Sequence, residues 1–460
     1  MTITSMPFLL FFLAVFSVCA ISDRAGFFRT KTIFLVLASY FFYAWADYRL
    51  CLPLLLVTVS TYLCARNARK TGVFLVGLLV PLGVLAFLRH FGQFMPLLSE
   101  LFGGRETGWF IVPVGVSFYT FQAIGYLVDV RREKIPAERD FWTLALYFCF
   151  FPRLEAGPIL QASVFLPQIR AEKRITKEGV LQGIQIFVFG LFKKTVLADR
   201  LAVFVGDVFR IPVAYHWLTI LWAVFSYSLQ IYLDFSGYSD MAAGCAMCLG
   251  YELPKNFDLP YSAHSVSEFW RRWHISLSGW IREYIYIPLG GNRHGLVRQC
   301  LNLFLTMLLC GIWHGSGWNY LLWGAVNGLA LCAERLFPAK TDHVLGKIFR
   351  TAGTFLFISF SWIPFRAGDL EEAWRVICSI LTFQDGLRQP YLWTAVSALF
   401  LAVHAVSAGR RSKKKGVPLS DSAPLMDLET VGGLTWFFVE LGMILCLAFT
   451  GEHPFVYLKF

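Results

Sequence analysis

The chain has 460 residues, of which 57% are hydrophobic and only 15% are charged, whereas soluble domains carry about 25% charged residues. This composition excludes an ordinary soluble protein and predicts a polytopic membrane protein. Lysine and arginine outnumber aspartate and glutamate by 41 to 30. Because the basic residues form short clusters between apolar runs, they are better explained by membrane topology than by a nucleic-acid partner, and we expect no such partner. The 11 cysteines lie mostly in apolar segments, so we expect packing residues, no disulfide framework and no metal site.

Four apolar runs open the chain, and each is near the roughly 20 residues that a bilayer requires or somewhat shorter. They cover residues 7–21, 32–45, 50–64 and 72–88. No basic residue precedes the first run, so we interpret it as a retained helix and not as a signal peptide. The loops after the first and third runs are basic, whereas the loop near Tyr48 after the second run is not. Because basic loops mark the cytoplasmic side, this pattern predicts an N-terminus outside the cell.

The apolar pattern changes from residue 109 onwards, because glycine, proline and polar residues interrupt it at 113–122 and 151–158. Irregular backbone at membrane depth is tolerated only where it is buried in protein or lines a cavity. We therefore predict short, tilted or re-entrant helices around an internal chamber. The next run, 179–192, is expected to end at the lysine pair 193–194.

Two carboxylates, Asp234 and Asp240, lie beside hydroxyl-bearing residues within an apolar segment. One interpretation is that they cap a helix end or pair with a nearby arginine, and the other is that they support the internal chamber. In both cases they are not expected to face lipid, because an ionised side chain in the hydrocarbon region is costly.

Residues 268–318 hold two histidines, His274 and His314. His274 falls on an aromatic and apolar helical face formed with Trp270, Trp273, Leu277 and Ile281. The following apolar segment, 300–312, gives only roughly 20 Å of helix against a hydrocarbon thickness of about 30 Å, which would leave His314 on an irregular loop at depth. An intramembrane histidine marks a functional site by default, although either residue could instead be a hydrogen-bonded core histidine.

The C-terminal part is predicted to contain an amphiphilic helix at 318–336 and spans at 348–364, 392–406 and 434–449. Asp369 and Glu372 form a candidate capping box for a short surface helix. The expected class is therefore an all-α polytopic membrane protein with roughly 10–13 transmembrane or re-entrant helices. We divide it into N-terminal helices (1–108), a core (109–336) and C-terminal helices (337–460), with a cytoplasmic loop at 409–433 and the C-terminus outside.

Several ordered motifs resemble the membrane-bound O-acyltransferases, in particular the bacterial branch of alginate and peptidoglycan O-acetylation proteins. The motifs are PVGVSFYTFQ (113–122), AGPI (156–159), LDFSGYSDMA (233–242), NFDLPY (256–261), EFWRRWHISLS (268–278), YIPLGGNR (286–293) and WHG (313–315). Glu155, directly before AGPI, stands where we expect an apolar residue. The resemblance implies that His274 and His314 are paired histidines in a tunnel that crosses the membrane.

Acyl transfer from a thioester to a hydroxyl group requires a base and a group that stabilises the oxyanion. We assign the general base to His314, because a buried imidazole stays neutral near pH 7. His274 would orient the donor thioester or donate a hydrogen bond to the oxyanion. Arg271, Arg272 and Trp273 could hold the pantetheine arm and phosphates of the donor.

The resemblance thus implies an O-acyltransferase of the bacterial inner membrane. It would take an acetyl group from a cytoplasmic thioester, acetyl-CoA, and deliver it to an extracytoplasmic polysaccharide, with no bound cofactor. Family precedent implies a separate extracytoplasmic acyltransferase partner. Two alternatives remain at this point: D-alanyl or other acyl transfer from an acyl carrier protein, and a transporter or flippase, since broken helices at depth also build transport sites.

Overall fold

A computed structural model of the chain describes residues 1–101, 115–338, 343–389, 391–415, 430–449 and 455–456, and their side chains outside 90–101 and 408–415. Within these ranges the regular structure is helical, and the one strand-like pairing is an isolated bridge between Tyr215 and Leu387. The all-α prediction is confirmed.

The helices alternate with short connections along the whole described chain. The α-helices are α1 (Met6–Arg24), α2 (Phe28–Ala44), α3 (Cys51–Ala65), α4 (Thr71–Leu101), α5 (Val116–Arg131), α6 (Phe141–Cys149), α7 (Ala162–Arg170), α8 (Lys177–Phe192), α9 (Asp199–Arg210), α10 (Trp217–Cys248), α11 (Val266–Arg272), α12 (Ile275–Ile281), α13 (Gly295–His314), α14 (Trp318–Leu336), α15 (Val344–Arg366), α16 (Leu370–Leu381), α17 (Leu392–Lys415) and α18 (Val431–Leu447). Short 3-10 turns lie at Tyr48–Leu50, Phe151–Arg153, Pro212–Ala214 and Pro260–Ser262, and π-helical segments at Lys193–Ala198 and Arg282–Tyr286.

Seven helical stretches of the described chain are long and apolar enough to cross a bilayer, and Leu392–Ser407 and Val431–Leu447 are shorter apolar helices. The seven stretches are Met6–Arg24, Tyr48–Ala65, Thr71–Arg89, Lys177–Arg210, Trp217–Cys248, Gly295–His314 and Val344–Arg366. The prediction of a multi-span membrane protein is therefore confirmed.

The chain packs into two units. One comprises Met1–Ile184 and Ala242–Pro254, and the other comprises Gln185–Met241 and Lys255–Phe460. These units differ from the segments expected from the sequence, and the three-part division remains a prediction. Both histidines of interest belong to the second unit.

The first unit contains the irregular backbone predicted at 151–158, where a single 3-10 turn, Phe151–Arg153, follows α6. The fully buried Arg153 closes this break by donating through Nη2 to the carbonyl oxygens of Tyr147 at 3.0 Å and Phe148 at 2.8 Å. The break predicted at 113–122 is different, because residues 116–122 are helical and residues 113–114 lie outside the described residues. Glu155 is partly buried, and loss of water raises the pKa of its carboxyl to about 7.

In the second unit, the helix does not end at Lys193 and Lys194, so that prediction is wrong. The helix continues through the π-helical segment into α9, and both lysines are buried. Lys194 Nζ lies 2.6 Å from Asp234 Oδ1 and 2.8 Å from Asp199 Oδ1, and Lys193 pairs with Asp240. Asp234 and Asp240 therefore lie inside α10 and not at a helix end, and each pairs with a lysine. We call these five residues the lysine–aspartate cluster.

Close contact between α8 and α10 brings the lysine–aspartate cluster together. A Cβ atom at Gly190 would lie 2.5 Å from the carbonyl oxygen of Gly237, and one at Gly237 would lie 2.8 Å from that of Gly190. Real Cβ atoms do not approach carbonyl oxygens this closely. Glycine at both positions therefore allows the two backbones to pack directly against each other.

The predicted capping of the short helix after α15 is confirmed. Asp369 Oδ1 accepts a hydrogen bond from the backbone N–H of Glu372 at 2.7 Å, and Glu372 Oε2 accepts one from the N–H of Gly368 at 2.8 Å. An N-cap carboxylate satisfies backbone donors that the first helical turn leaves without intrahelical acceptors. The resulting helix, α16, ends at Leu381.

Candidate active site

His274 lies at a break between two short helices. Because α11 ends at Arg272 and α12 begins at Ile275, the prediction of one continuous helical face through Trp270, His274 and Ile281 is wrong. His274 has φ 44° and ψ 55°, in the left-handed region. A non-glycine residue held there costs on the order of 1–3 kcal/mol and is a feature that clusters at functional sites.

The loop after α10 holds this break in place. The carbonyl oxygen of Asn256 accepts a hydrogen bond from the N–H of Ile275 at 2.8 Å, and the N–H of Asp258 donates to the carbonyl oxygen of Arg272 at 2.9 Å. The Asn256 side chain also contacts the imidazole, with 3.1 Å between Asn256 Oδ1 and His274 Nδ1. The side chain and the backbone of Asn256 thus hold both the turn at His274 and the orientation of the His274 ring.

The His274 imidazole is almost completely buried, with 2% of the residue exposed. It lies outside the seven candidate membrane spans. Burial lowers the pKa of His274 from its ordinary value of 6.5 to about 3, because a charged imidazolium loses its hydration in a low-dielectric surrounding. His274 is therefore neutral near pH 7 and can accept a proton or a hydrogen bond.

His314 is the last residue of α13, which spans Gly295–His314. The prediction of a short helix at 300–312 is wrong, since the 20 residues of α13 give about 30 Å of helix, enough to cross the hydrocarbon region. His314 is consequently at a helix end and not within an irregular loop. It is 4% exposed, so its ring faces protein and not lipid.

An aromatic cluster surrounds His314. The imidazole packs edge-on against Trp323 with ring centroids 5.2 Å apart and against Phe365 at 5.0 Å. Trp323 stacks on Trp362 at 5.8 Å, and Trp362 lies 5.3 Å from Trp273. Trp270 in turn contacts Trp323 and Trp362. We call these five residues the aromatic cluster: Trp270, Trp273, Trp323, Trp362 and Phe365.

His274 is connected to the aromatic cluster through two further rings, Phe235 and Phe257. Its ring packs edge-on against Phe235 of α10 with centroids 4.7 Å apart. The Phe257 ring contacts both Phe235 and Trp273, with ring centroids 5.1 Å apart in each pair. The structure therefore brings both sequence-predicted histidines to one continuous set of buried aromatic rings.

The three residues predicted to hold the acyl donor have different surroundings. Arg271 is exposed. Arg272 pairs with Glu268 at 2.6 Å and donates to Ser262 Oγ at 2.9 Å, and Trp273 is buried in the aromatic cluster. Arg271 is thus the most exposed of the three and Arg272 is partly exposed, and the donor-binding role of all three stays a prediction.

Asn256 belongs to the NFDLPY motif, but the sequence predicts no role for it, nor for Phe235, Trp323 or Trp362. The position of Asn256 in an ordered motif could have marked it as a candidate. Its contact with His274, 18 residues later, could not be predicted from the local pattern. Among the described residues, no group of three or more histidine, cysteine or acidic side chains is placed to hold a metal ion.

Comparisons with known proteins show which sequences this chain resembles. The model of the membrane-bound O-acyltransferase family matches residues 133–363. A probable alginate O-acetylase of Pseudomonas aeruginosa is 36% identical over 400 residues, which cover 83% of this chain and 75% of that protein. A peptidoglycan O-acetyltransferase of Helicobacter pylori is 36% identical over 75% of this chain and 72% of its own length. A teichoic acid D-alanyltransferase of Bacillus subtilis is 25% identical over 61% and 72%.

Proposed function

Because this chain belongs to the membrane-bound O-acyltransferase family, we propose that it transfers an acetyl group from cytoplasmic acetyl-CoA across the bilayer for O-acetylation of an extracytoplasmic polysaccharide. The observation that carries the proposal is that two buried histidines contact one connected set of aromatic rings, His314 through Trp323 and Phe365 and His274 through Phe235. Two of the relatives are named as O-acetylating enzymes of alginate and peptidoglycan. Family membership makes the chain an acyltransferase, which replaces the transporter alternative.

In the proposed reaction, His314 acts as the general base. It takes the proton of the acceptor hydroxyl while the hydroxyl oxygen attacks the thioester carbonyl carbon. The carbon–sulfur bond then breaks, and the leaving thiolate takes the proton from the His314 imidazolium, which restores the neutral base. General-base assistance of this kind contributes on the order of 10²–10⁴-fold to the rate.

His274 has one of two roles in this scheme: it orients the donor thioester, or it donates a hydrogen bond to the oxyanion. Arg271 and Arg272 would meet the phosphates of the donor on the cytoplasmic side, where positive charge is expected. We further propose residence in the bacterial inner membrane with both termini outside. A separate extracytoplasmic acyltransferase would complete transfer to the polysaccharide.

The second candidate function is transfer of D-alanine from an acyl carrier protein. It draws on the likeness to a teichoic acid D-alanyltransferase, at 25% identity. The relatives named as O-acetylating enzymes are 36% identical, which favours acetyl transfer. Supplying either labelled acetyl-CoA or a labelled D-alanyl carrier protein to the purified enzyme separates the two donors.

The test of the proposed reaction uses sealed vesicles that contain the enzyme together with its extracytoplasmic acyltransferase partner, with labelled acetyl-CoA on the cytoplasmic face only and a polysaccharide acceptor on the other. We expect label on the acceptor, and a loss of at least about 10²-fold in His314→Ala if the imidazole is the base. His216→Ala is the matched control, since His216 is also buried in the second unit but caps α10 through Leu218. Equal rates in the two variants would refute the base assignment.

A further inference from the structure

The orientation of the Asn256 amide follows from its neighbours. Asn256 Oδ1 lies 3.3 Å from the backbone nitrogen of Ser276 and 2.9 Å from Ser276 Oγ. A backbone N–H can only donate, so the amide atom that faces it must be the oxygen. On the other side, Asn256 Nδ2 donates to Ser239 Oγ at 3.2 Å, and a hydroxyl oxygen readily accepts such a bond.

This orientation determines the proton position on His274. The same Oδ1 atom lies 3.1 Å from His274 Nδ1. Because an amide oxygen can only accept, Nδ1 must carry the hydrogen atom. In a neutral imidazole only one ring nitrogen is protonated, so the lone pair belongs to Nε2. The backbone around the ring is equally fixed, since Asn256 also binds Ile275 through its carbonyl oxygen.

We propose that Asn256 is a positioning residue that holds His274 as the Nδ1–H tautomer, so that Nε2 accepts a hydrogen bond from an N–H or O–H group of a substrate. The inference rests on the proposed function and selects between the two roles given there for His274. A neutral ring whose Nε2 carries a lone pair cannot donate to an oxyanion from that nitrogen. Orientation of a bound substrate is the role that remains.

Two substrates offer the required donor group: the thioester carrier through the amide N–H groups of its pantetheine arm, and the acceptor through its hydroxyl. Both would meet Nε2 as hydrogen-bond donors. They are distinguished by kinetics. A tautomer change should raise KM for acetyl-CoA if the carrier amide is the donor, and KM for the acceptor if the hydroxyl is the donor.

The simpler explanation is that Asn256 only stabilises the turn. Two substitutions separate this from the proposal. Asn256→Ala removes the acceptor, whereas Asn256→Asp keeps an oxygen toward both Nδ1 and Ser276. Asn302→Ala is the control, because Asn302 is a buried asparagine of the same unit that donates to the carbonyl oxygen of Gly291 and contacts neither histidine.

Asn256→Ala should lower kcat/KM by on the order of 10–100-fold, in line with the loss of other residues that orient a histidine, and Asn302→Ala should change it little. Asn256→Asp should retain most of the rate at neutral pH. The carboxylate of the introduced aspartate, next to Nδ1–H, favours the protonated form of His274. The acid limb of the kcat/KM profile should therefore move to higher pH. Equal losses in the alanine and aspartate variants, with unchanged pH profiles, would reduce Asn256 to a structural residue.

A spectroscopic measurement on wild-type protein tests the tautomer without any activity. In protein labelled with ¹⁵N-histidine, the protonated and unprotonated ring nitrogens give separate signals, and the His274 signals are identified by their loss in His274→Gln. We expect a protonated Nδ1 and an unprotonated Nε2, and a mixture in Asn256→Ala. A protonated Nε2 in the wild type overturns the proposal. If the wild type transfers no acetyl group from acetyl-CoA, the proposed function fails, while the nitrogen signals still decide the tautomer.

Discussion

Replacement of Gly324 by alanine tests whether direct backbone contact between α13 and α14 positions His314. A Cβ atom at Gly324 would lie 2.5 Å from the carbonyl oxygen of Met307 and 3.2 Å from Leu308 Cα. Gly311 has the reciprocal arrangement, with its Cβ position 2.4 Å from the carbonyl oxygen of Tyr320. Both obstacles are backbone atoms, so no side-chain rotation relieves them.

The expected magnitude follows from these distances. An ordinary Cβ contact begins at 3.4 Å, so the two helices must separate locally by roughly 1 Å. Overpacking of this kind costs about 1–3 kcal/mol, whereas alanine gains about 0.5–1 kcal/mol over glycine within a helix. We therefore expect a net loss of up to about 2.5 kcal/mol in the free energy of unfolding.

The same shift should reduce acyl transfer. His314 ends α13, and its ring contacts Trp323, the neighbour of Gly324 in α14. A displacement of about 1 Å in a reacting group can cost on the order of 10²-fold in rate. Gly324→Ala is therefore expected to lose activity at temperatures where it remains folded.

Gly353→Ala in α15 provides the matched control, since nothing lies within 4 Å of a Cβ atom at that position. It should be neutral or stabilising by up to about 1 kcal/mol. Unfolding in detergent and transfer rates below the transition are measured for both variants. Equal stability and equal rates would refute the idea that helix–helix contact through glycine positions His314.

Three further predictions concern charge. Lys193→Met should cost about 3–5 kcal/mol by leaving the buried Asp240 without its lysine partner, and adding Asp240→Asn should recover part of that loss, as measured by unfolding in detergent. The pKa of His274 is about 3 in the folded protein against 6.5 ordinarily, so below pH 6.5 the unfolded chain binds more protons. The free energy of unfolding should thus fall by about 2 kcal/mol from about pH 7.5 to about pH 5, and His274→Gln should lack this part of the pH dependence. Asp369→Ala should cost about 1 kcal/mol by removing the α16 cap, whereas exposed Glu371→Ala should change stability by a few tenths of a kcal/mol.

Hydrophobicity and capping residues located many elements correctly. The third run, expected at 50–64, is α3 at Cys51–Ala65, and the helix expected at 318–336 is α14 at Trp318–Leu336. The Asp369 cap was also found, because both of its partners are within a few residues of it. Such features are local, so a single sequence carries enough information to predict them.

The wrong predictions share a different cause, since distant residues decide the structure at each of them. Lys193 and Lys194 look like the end of a span, but their carboxylate partners in α10 lie about 40 residues further along the chain. The apolar spacing around His274 fits one helix, yet hydrogen bonds that Asn256 accepts stabilise a left-handed turn there. Periodicity reports only which residues share a face, and it contains no information about such long-range contacts.

One stretch of α10 connects the lysine–aspartate cluster to the candidate active site. Phe235 contacts the His274 ring, and Ser239 accepts a hydrogen bond from the Asn256 amide. Between them, Ser236 accepts a hydrogen bond from Lys193 at 3.0 Å. Any rotation of α10 that moves Phe235 and Ser239 therefore also breaks buried charge pairs, which is strongly unfavourable in a low-dielectric interior. The buried charges thus restrict the orientation of the surface on which His274 rests, which gives a physical reason for ionised side chains at this depth in an otherwise apolar protein.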